Sequence, residues 1–389
     1  RLDGDIRIAF VSCNGEENGD LDRDRAERDL MWARLADDHA RAPFALLLQG
    51  GDQIYADEAT HGHPLSESWP DRLPADPSPA DLDSLTRHLE RRFAERYMMV
   101  LEAEGCADLF ASVPSLSVWD DHDICDGWGS LPESRTSSAV GQALFRVARQ
   151  MYLLFQHGAT EADVPALFTD PSGSALGWRR DLPGVTLFAP DLRSERHRHR
   201  IMGEAGWKAV DALQPMGDHV FMVSSVPLLG PRLSLLEGAL TMAPGLQHYE
   251  DDLRDQWQSR SHRAEWRRFL TLLEAKAVQG SRPLTVISGE IHLATRAEMR
   301  LEDGSTMHQL VASGITHPKP PAAFPLALSL LSRLGESPLR GRPIKVFPLP
   351  GRRMPYIADR NYLVVTRRDG RWSAEWELEE TGRTPALPL

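Results

Sequence analysis

Five short apolar runs in this chain each stop at side chains that bury poorly and bind cations or anions well. Leu116-Ser117-Val118-Trp119 runs into Asp120-Asp121-His122-Asp123, and Phe44 to Gln49 runs into Gly50-Gly51-Asp52-Gln53-Ile54-Tyr55. Ile6 to Ser12 ends on Cys13, Val185 to Ala189 on Pro190-Asp191-Leu192-Arg193, and Leu284 to Ile287 on Ser288-Gly289-Glu290-Ile291-His292. Short apolar runs bounded by turn residues read as buried strands. Adjacent carboxylates and an imidazole repel one another, and they are tolerated in water or against a cation. In an open α/β sheet, ligands sit at the carboxyl ends of the strands, so groups far apart in sequence can converge there. Thiolate, phenolate, carboxylate and imidazole together suit iron, zinc, manganese or calcium.

Helical periodicity fills the spaces between these runs. Arg25 to His39 carries Leu30, Met31 and Leu35 on one face, and Leu82 to Glu104 carries Leu85, Leu89, Phe93 and Tyr97. Ser137 to His157, Glu204 to Leu213 and Ser261 to Ala277 read the same way. Ala175 to Arg180 and His219 to Ser225 are further strands. Thr295 to Leu301 with Thr306 to Ala312 forms a hairpin around Asp303-Gly304, and Tyr362 to Arg367 with Trp372 to Leu378 another across Asp369-Gly370. Asp57 to Pro79 reads as a surface excursion, and Pro227 to Arg260 as a long insertion at the rim of a site. Pro318 to Pro355, rich in Pro and Arg, reads as irregular. The expectation is a single α/β domain over 1–389, with its motifs within 6–315 and an irregular segment and hairpin over 318–389.

Composition narrows the partners. A formal charge of -12 disfavours nucleic acid or an anionic membrane as the main partner. No apolar run is long enough to span a bilayer. Cys13, Cys106 and Cys125 do not make a disulfide framework, which favours a reducing, cytoplasmic setting. The chain opens on Arg1-Leu2-Asp3-Gly4 without Met or a signal peptide, which leaves room for an upstream domain and for export.

The motif series resembles the PhoD-like branch of the calcineurin-like metallophosphoesterases. The matching pieces are Phe10-Val11-Ser12-Cys13, Gly51-Asp52-Gln53-Ile54-Tyr55, Trp119-Asp120-Asp121-His122-Asp123, Asp191-Leu192-Arg193-Ser194 and Ser288-Gly289-Glu290-Ile291-His292. Continuation through Cys125-Asp126-Gly127-Trp128-Gly129-Ser130 is similar to a PhoD-related subgroup. The resemblance implies an α/β fold, a four-layer α/β/β/α sandwich with surface insertions, and a binuclear or multinuclear metal centre at the sheet edge. Carried over position by position, it makes Asp52 the bridge between two metals, with Cys13 and Tyr55 ligating one of them. Asp121 takes the place of a ligating Asn, His122 that of the catalytic His, and His292 that of a ligand. Glu290 stands where the family more often has Asp, and Ser224 and Ser225 where relatives carry a metal-binding His. Iron and calcium are the ions favoured, with zinc or manganese as alternatives.

The function implied is hydrolysis of phosphate mono- or diesters, alkaline phosphatase D-like, by attack of a metal-bound water or hydroxide. In that scheme Arg193 makes a forked contact to the phosphate oxygens, and His122 stabilises developing charge or protonates the leaving oxygen. His317 can reach the site from a neighbouring strand, whereas His61, His63, His197 and His199 read as solvated. The alternative is a metal-binding regulatory or interaction domain that keeps the fold and has lost turnover through Glu290.

Overall fold

In the computed structural model, which describes residues 4–74, 76–231 and 256–389, all five apolar runs form strands. β1 (Ile6–Val11), β2 (Leu46–Gly50) and β3 (Ser115–Val118) pair in parallel, so their carboxyl ends share one edge. β4 (Trp178–Leu182), β5 (Val185–Ala189), β6 (His219–Ser224) and β7 (Leu284–Ser288) follow, and β5, β6 and β7 are again parallel. β8 (Ala294–Arg300) and β9 (Thr306–Val311) make the expected antiparallel hairpin. β10 (Glu336–Leu339), β11 (Arg342–Phe347) and β12 (Tyr356–Ile357) extend that sheet. β13 (Asn361–Arg368), β14 (Arg371–Leu378) and β15 (Leu387–Pro388) return to the first one.

Among the described residues, one sheet runs β15-β14-β13-β1-β2-β3. The other runs β10-β11-β8-β9-β7-β6-β5-β4, with β12 on β8. Alternation along β6 shows how they stack. Phe221 and Val223 point into a core shared with Ile8, Phe10 and Leu48 of the first sheet. Val220 and Met222 point the other way, against Trp207, Trp266, Phe269 and Leu270. Period-2 side chains buried on both faces need a layer on each side. The outer layer of the second sheet is supplied by the helices Glu204–Asp211 and Arg263–Gly280. On the first sheet, the helices Leu30–Arg41, Pro79–Leu101 and Ala139–His157 bring Leu35, Leu89, Phe93, Leu144 and Met151. The α/β/β/α sandwich implied by the resemblance is therefore the architecture.

Some boundaries differ from the sequence reading for local reasons. The helix expected from Leu82 starts at Pro79. Ser78 Oγ accepts from Asp81 N–H at 3.2 Å, Asp81 reaches back to Ser78 N–H, and Pro79 occupies the first turn. The segment read as irregular over Pro318 to Pro355 holds the helix Ala323–Ser332 and the β10–β11 hairpin. Pro325 lies in the first turn of that helix, where no backbone N–H is needed. The insertion over Pro227 to Arg260 has its centre, 232–255, outside the described residues.

Candidate metal centre

The carboxyl ends of β1, β2, β3 and β7 meet, and the backbone there is under strain. Six non-glycine residues adopt a left-handed φ among the described residues. Four of them are Cys13 (φ 55), Asp52 (φ 54), Glu290 (φ 69) and His292 (φ 53), all at these strand ends. Such conformations cost about 1–3 kcal/mol each and persist where surrounding contacts enforce them. The enforcement is visible: Cys13 N–H donates to Gly51 O at 3.2 Å and Asn14 N–H to Asp52 O at 2.7 Å. Gly51 (φ 99) is required as glycine, since a Cβ there would lie 2.8 Å from Asp120 Cβ and 3.0 Å from Ser225 Cβ.

Asp123 staples two of these turns together. Its Oδ2 accepts from the N–H groups of Asp52 and Asp120, both at 2.9 Å. Its Oδ1 accepts from Gln53 N–H (3.1 Å), Ile54 N–H (3.3 Å) and the Gln156 amide (2.9 Å). Burial pushes the Asp123 pKa up to about 7 against the pull of these donors.

Around this frame the expected ligand residues gather in two groups that share Asp52. In the first, the Cys13 thiol faces Asp52 Oδ2 at 3.5 Å, and Tyr55 OH lies 3.1 Å from His292 Nε2. In the second, carboxylate oxygens of Asp52, Asp120 and Asp121 lie within 4.8 Å of one another. Asp52 Oδ1 is buried without a hydrogen-bond partner. Burial first, then Asp120 and other neighbouring carboxylates, push Asp52 well above the usual carboxylate range. Burial likewise raises Cys13 and Tyr55, with Asp52 adding to both. His292 is driven well down by burial and by His317, so its imidazole is neutral and its nitrogen can ligate. A donor set of buried carboxylates, thiol, phenol and neutral imidazole fits metal ions, and a cation in contact would reverse each acidic shift.

His122 adjoins this set: one of its ring nitrogens and carboxylate oxygens of Asp121 and Asp126 lie within 4.8 Å of one another, a further group that could hold an ion. Its Nδ1 donates to Asp57 Oδ2 at 3.0 Å, its ring stacks on Tyr55 at 4.3 Å, and its Nε2 lies 4.0 Å from Glu17 Oε1. Burial opposes a charge on His122, but Asp57, Asp121 and Asp52 outweigh it and hold the ring well above its ordinary pKa. His317 reaches the site as the sequence allowed. It stacks on His292 with centroids 3.4 Å apart and points Nε2 at Glu17 Oε1 at 3.5 Å.

Two residues sit differently from expectation. Arg193 is fully buried: its Nε pairs with Asp120 Oδ1, one amino group lies 3.2 Å from Asp121 Oδ1, and the other donates to Trp128 O at 3.1 Å. Its guanidinium therefore holds the Asp120 and Asp121 carboxylates from within the interior. Glu290 takes the Gln256 amide on both oxygens at 2.7 Å, so its longer side chain has a protein partner.

Several residues escaped the sequence reading. Asp57 lay at the start of what looked like a solvated excursion, and Glu17 in a turn rich in acidic residues. Asp120 was visible in the acidic stretch but assigned no role. Ser225 donates to Asp120 Oδ1 at 2.8 Å. A cavity of about 150 Å³ opens over the centre. Glu17, Asp52, Asp121, His122, Glu290 and His292 form its polar floor, and Phe324, Leu328 and Tyr356 part of its apolar wall. Both described ends of the long insertion line it as well, Leu229 to Pro231 on one side and Gln256 with Gln258 on the other.

An uncharacterized protein of Saccharomyces cerevisiae, YGR266W, is 25% identical over 358 residues, covering 75% of this chain and 50% of the yeast protein. The chain thus spans about half the length of that relative. A solved structure of PhoD covers 99% of this chain and 68% of its own with a TM-score of 0.58, at 13% identity, which shows a shared fold. The family described as PhoD related phosphatase matches residues 11–248. By that match, which takes in four of the five strand-end motifs, the chain belongs to the PhoD-related phosphatases.

Proposed function

We propose that the chain is a metal-dependent phosphohydrolase acting on small phosphate mono- or diesters at the strand-end cavity. The observation that carries this reading is the buried Asp52–Asp120–Asp121 cluster opening onto a cavity that His122 also lines. Cys13, Tyr55 and His292 would hold one ion beside Asp52, and Asp120 and Asp121 a second, with iron beside calcium as the favoured pair. Bound there, two ions supply an activated water and offset the charge on the phosphoryl oxygens.

The remaining work falls to the chain's own side chains. Asp57 orients the His122 ring through Nδ1 and keeps it protonated, so Nε2–H is the proton left to face the cavity. From there it can pass to the leaving oxygen, a contribution typically of about 10²–10⁴ in rate. Arg193 and Ser225 keep the carboxylates in place while the cavity is open. Tyr356, Phe324 and Leu328 offer an apolar wall to the alcohol part of an ester.

The test is hydrolysis of 4-nitrophenyl phosphate and bis(4-nitrophenyl) phosphate by metal-loaded and chelator-stripped protein. Turnover that appears with metal and is lost on stripping supports the reading. Metal bound without turnover of either ester would favour a regulatory domain, for which the Gln256–Glu290 contact is the structural argument.

A further inference from the structure

The helix Ala323–Ser332 turns apolar side chains outward as well as inward. Leu326, Leu330 and Leu334 are 54%, 62% and 66% exposed, with Ala323 and Ala327 exposed beside them. Leu334 continues the last turn, its N–H donating to Leu331 O at 3.0 Å. At 3.6 residues per turn these five positions and Arg333 fall within an arc of about 120°. Arg333 is the one residue of that arc with a polar side chain. On the opposite face Leu328 packs with Leu293 and Tyr356, and Phe324 and Leu328 line the metal-site cavity. A helix at the surface ordinarily turns polar residues outward, and one that is apolar all round is ordinarily buried. Of the eight large apolar side chains exposed among the described residues, three form this stripe, and it is clustering that marks an interaction site.

Charge says what covers the stripe. Pro318 to Pro355, the segment that carries the helix, holds seven Lys and Arg and one acidic residue, in a chain whose formal charge is -12. The one acid, Glu336, is buried and pairs with Arg263 at 2.8 Å. Lys319 and Arg342 pair with Glu380 and Glu274. Arg333, Arg340, Lys345 and Arg353 are exposed and pair with no carboxylate among the described residues. A second copy of the chain would set this basic segment against itself, because a two-fold contact matches each patch with its own kind. Acyl chains ask for no directional partner, and anionic head groups meet the free arginines and lysine. The acidic remainder of the chain is repelled by the same surface, which leaves this face as the one that approaches it.

We propose that the Ala323–Ser332 helix docks on an anionic lipid surface, with Leu326, Leu330 and Leu334 among the acyl chains and Arg333 at the head groups. Ten residues are too few to span a bilayer, so the helix lies along its surface. Because the inner face of the same helix walls the metal-site cavity, docking holds that cavity roughly 10 Å, one helix diameter, from the head groups.

The experiment sediments the metal-loaded full chain with vesicles of phosphatidylcholine alone and of phosphatidylcholine mixed with phosphatidylglycerol, and it reads no turnover. Binding to the mixed vesicles is expected to be tighter by about tenfold or more and to weaken with added salt. Leu326→Ser combined with Leu330→Ser should weaken it by about tenfold, whereas Met216→Ser, at an exposed side chain elsewhere, should not. Arg333→Gln should narrow the gap between the two kinds of vesicle. A polarity-sensitive dye on Leu330→Cys, the described native cysteines being buried, should shift to the blue on the mixed vesicles. Failure to bind them, unchanged binding in the folded double variant, or a dye that stays in water would each overturn the proposal. So would a dimer in solution that the double variant abolishes, which would make a second copy the cover of this face.

Discussion

Asp52 turns one oxygen toward Cys13 and leaves the other buried without a hydrogen-bond partner, with two more carboxylates close by. Asp52→Asn keeps the shape and removes the charge that would hold two cations. It should lose at least one metal equivalent and turnover by more than about 10²-fold, with the far-UV circular dichroism unchanged. Undiminished turnover would end the binuclear reading. His122 and Asp57 make a different prediction, because neither belongs to the carboxylate cluster around Asp52. Asp57→Asn should lower kcat by roughly 10-fold or more and leave metal content at the parental level. His122→Ala should do the same to a greater degree; a variant that comes off the column without metal would make His122 a ligand. Tyr55 and Cys13 bear on which metal is held. Phenolate or thiolate on ferric iron absorbs in the visible, so protein purified without chelator should be coloured, and Tyr55→Phe should shift or abolish the band. An active, colourless and iron-free parent would exclude iron. At this scale the motif residues were legible because each ends an apolar run. Asp57, Glu17 and Ser225 were not, since their meaning comes from what the fold sets opposite them.

Elements carry the site through contacts that single motifs do not reveal. Asp123 was legible as part of an acidic run, but its five donors come from two turns and a helix, and only the assembled fold shows it as a staple. Asp123→Asn would place an amide N–H₂ against backbone N–H donors and should cost about 3 kcal/mol in urea unfolding. A loss of only a few tenths would mean the turns hold without it. On β6, His219 is buried, donates to or accepts from Thr285 Oγ1 at 3.0 Å and stacks on Phe221 at 4.4 Å. Burial lowers its pKa from about 6.5 to about 3. Between those values the unfolded chain takes up a proton that the folded one does not, so stability falls as pH falls below about 6.5. The contribution is at most about 1.4 kcal/mol per pH unit. His219→Phe keeps a ring in the stack and has no proton to gain, so its urea midpoint should fall less steeply than the parent's between pH 7 and pH 5. Equal slopes would show that His219 protonates freely in the folded state. Element order and most strands were readable from apolar runs. The Ala323–Ser332 helix and β10–β11 hairpin were hidden among the prolines and arginines that surround them, while packing of Phe324 and Leu328 with Leu293 and Tyr356, and pairing of β11 with β8, decide the structure.

At the scale of the whole molecule, the candidate centre lies where the two sheets meet, beside apolar packing and hydrogen bonds such as Trp376 Nε1–H to Val311 O at 2.8 Å. Cys13, Asp52, Asp120 and Asp121 come from the ends of β1, β2 and β3, and Glu290 and His292 from the end of β7 in the other sheet. That convergence was inferable from the strand-end pattern alone, although which sheet each strand joined was not, because pairing depends on long-range partners. The arrangement ties stability to metal content. An ion bound by the folded chain and not by the unfolded one adds roughly 4 kcal/mol at a thousandfold excess over its Kd. Spread over a chain of this size, that is a rise of several degrees in Tm. No helix among the described residues is long and apolar enough to cross a membrane. Chelator should therefore lower the Tm of the parent by several degrees, and readdition of metal should restore it. Asp52→Asn, already deprived of the bridging charge, should melt near the stripped parent and respond little to either treatment. If parent and variant lose the same number of degrees on chelation, the stabilising ion lies somewhere other than the junction of the two sheets.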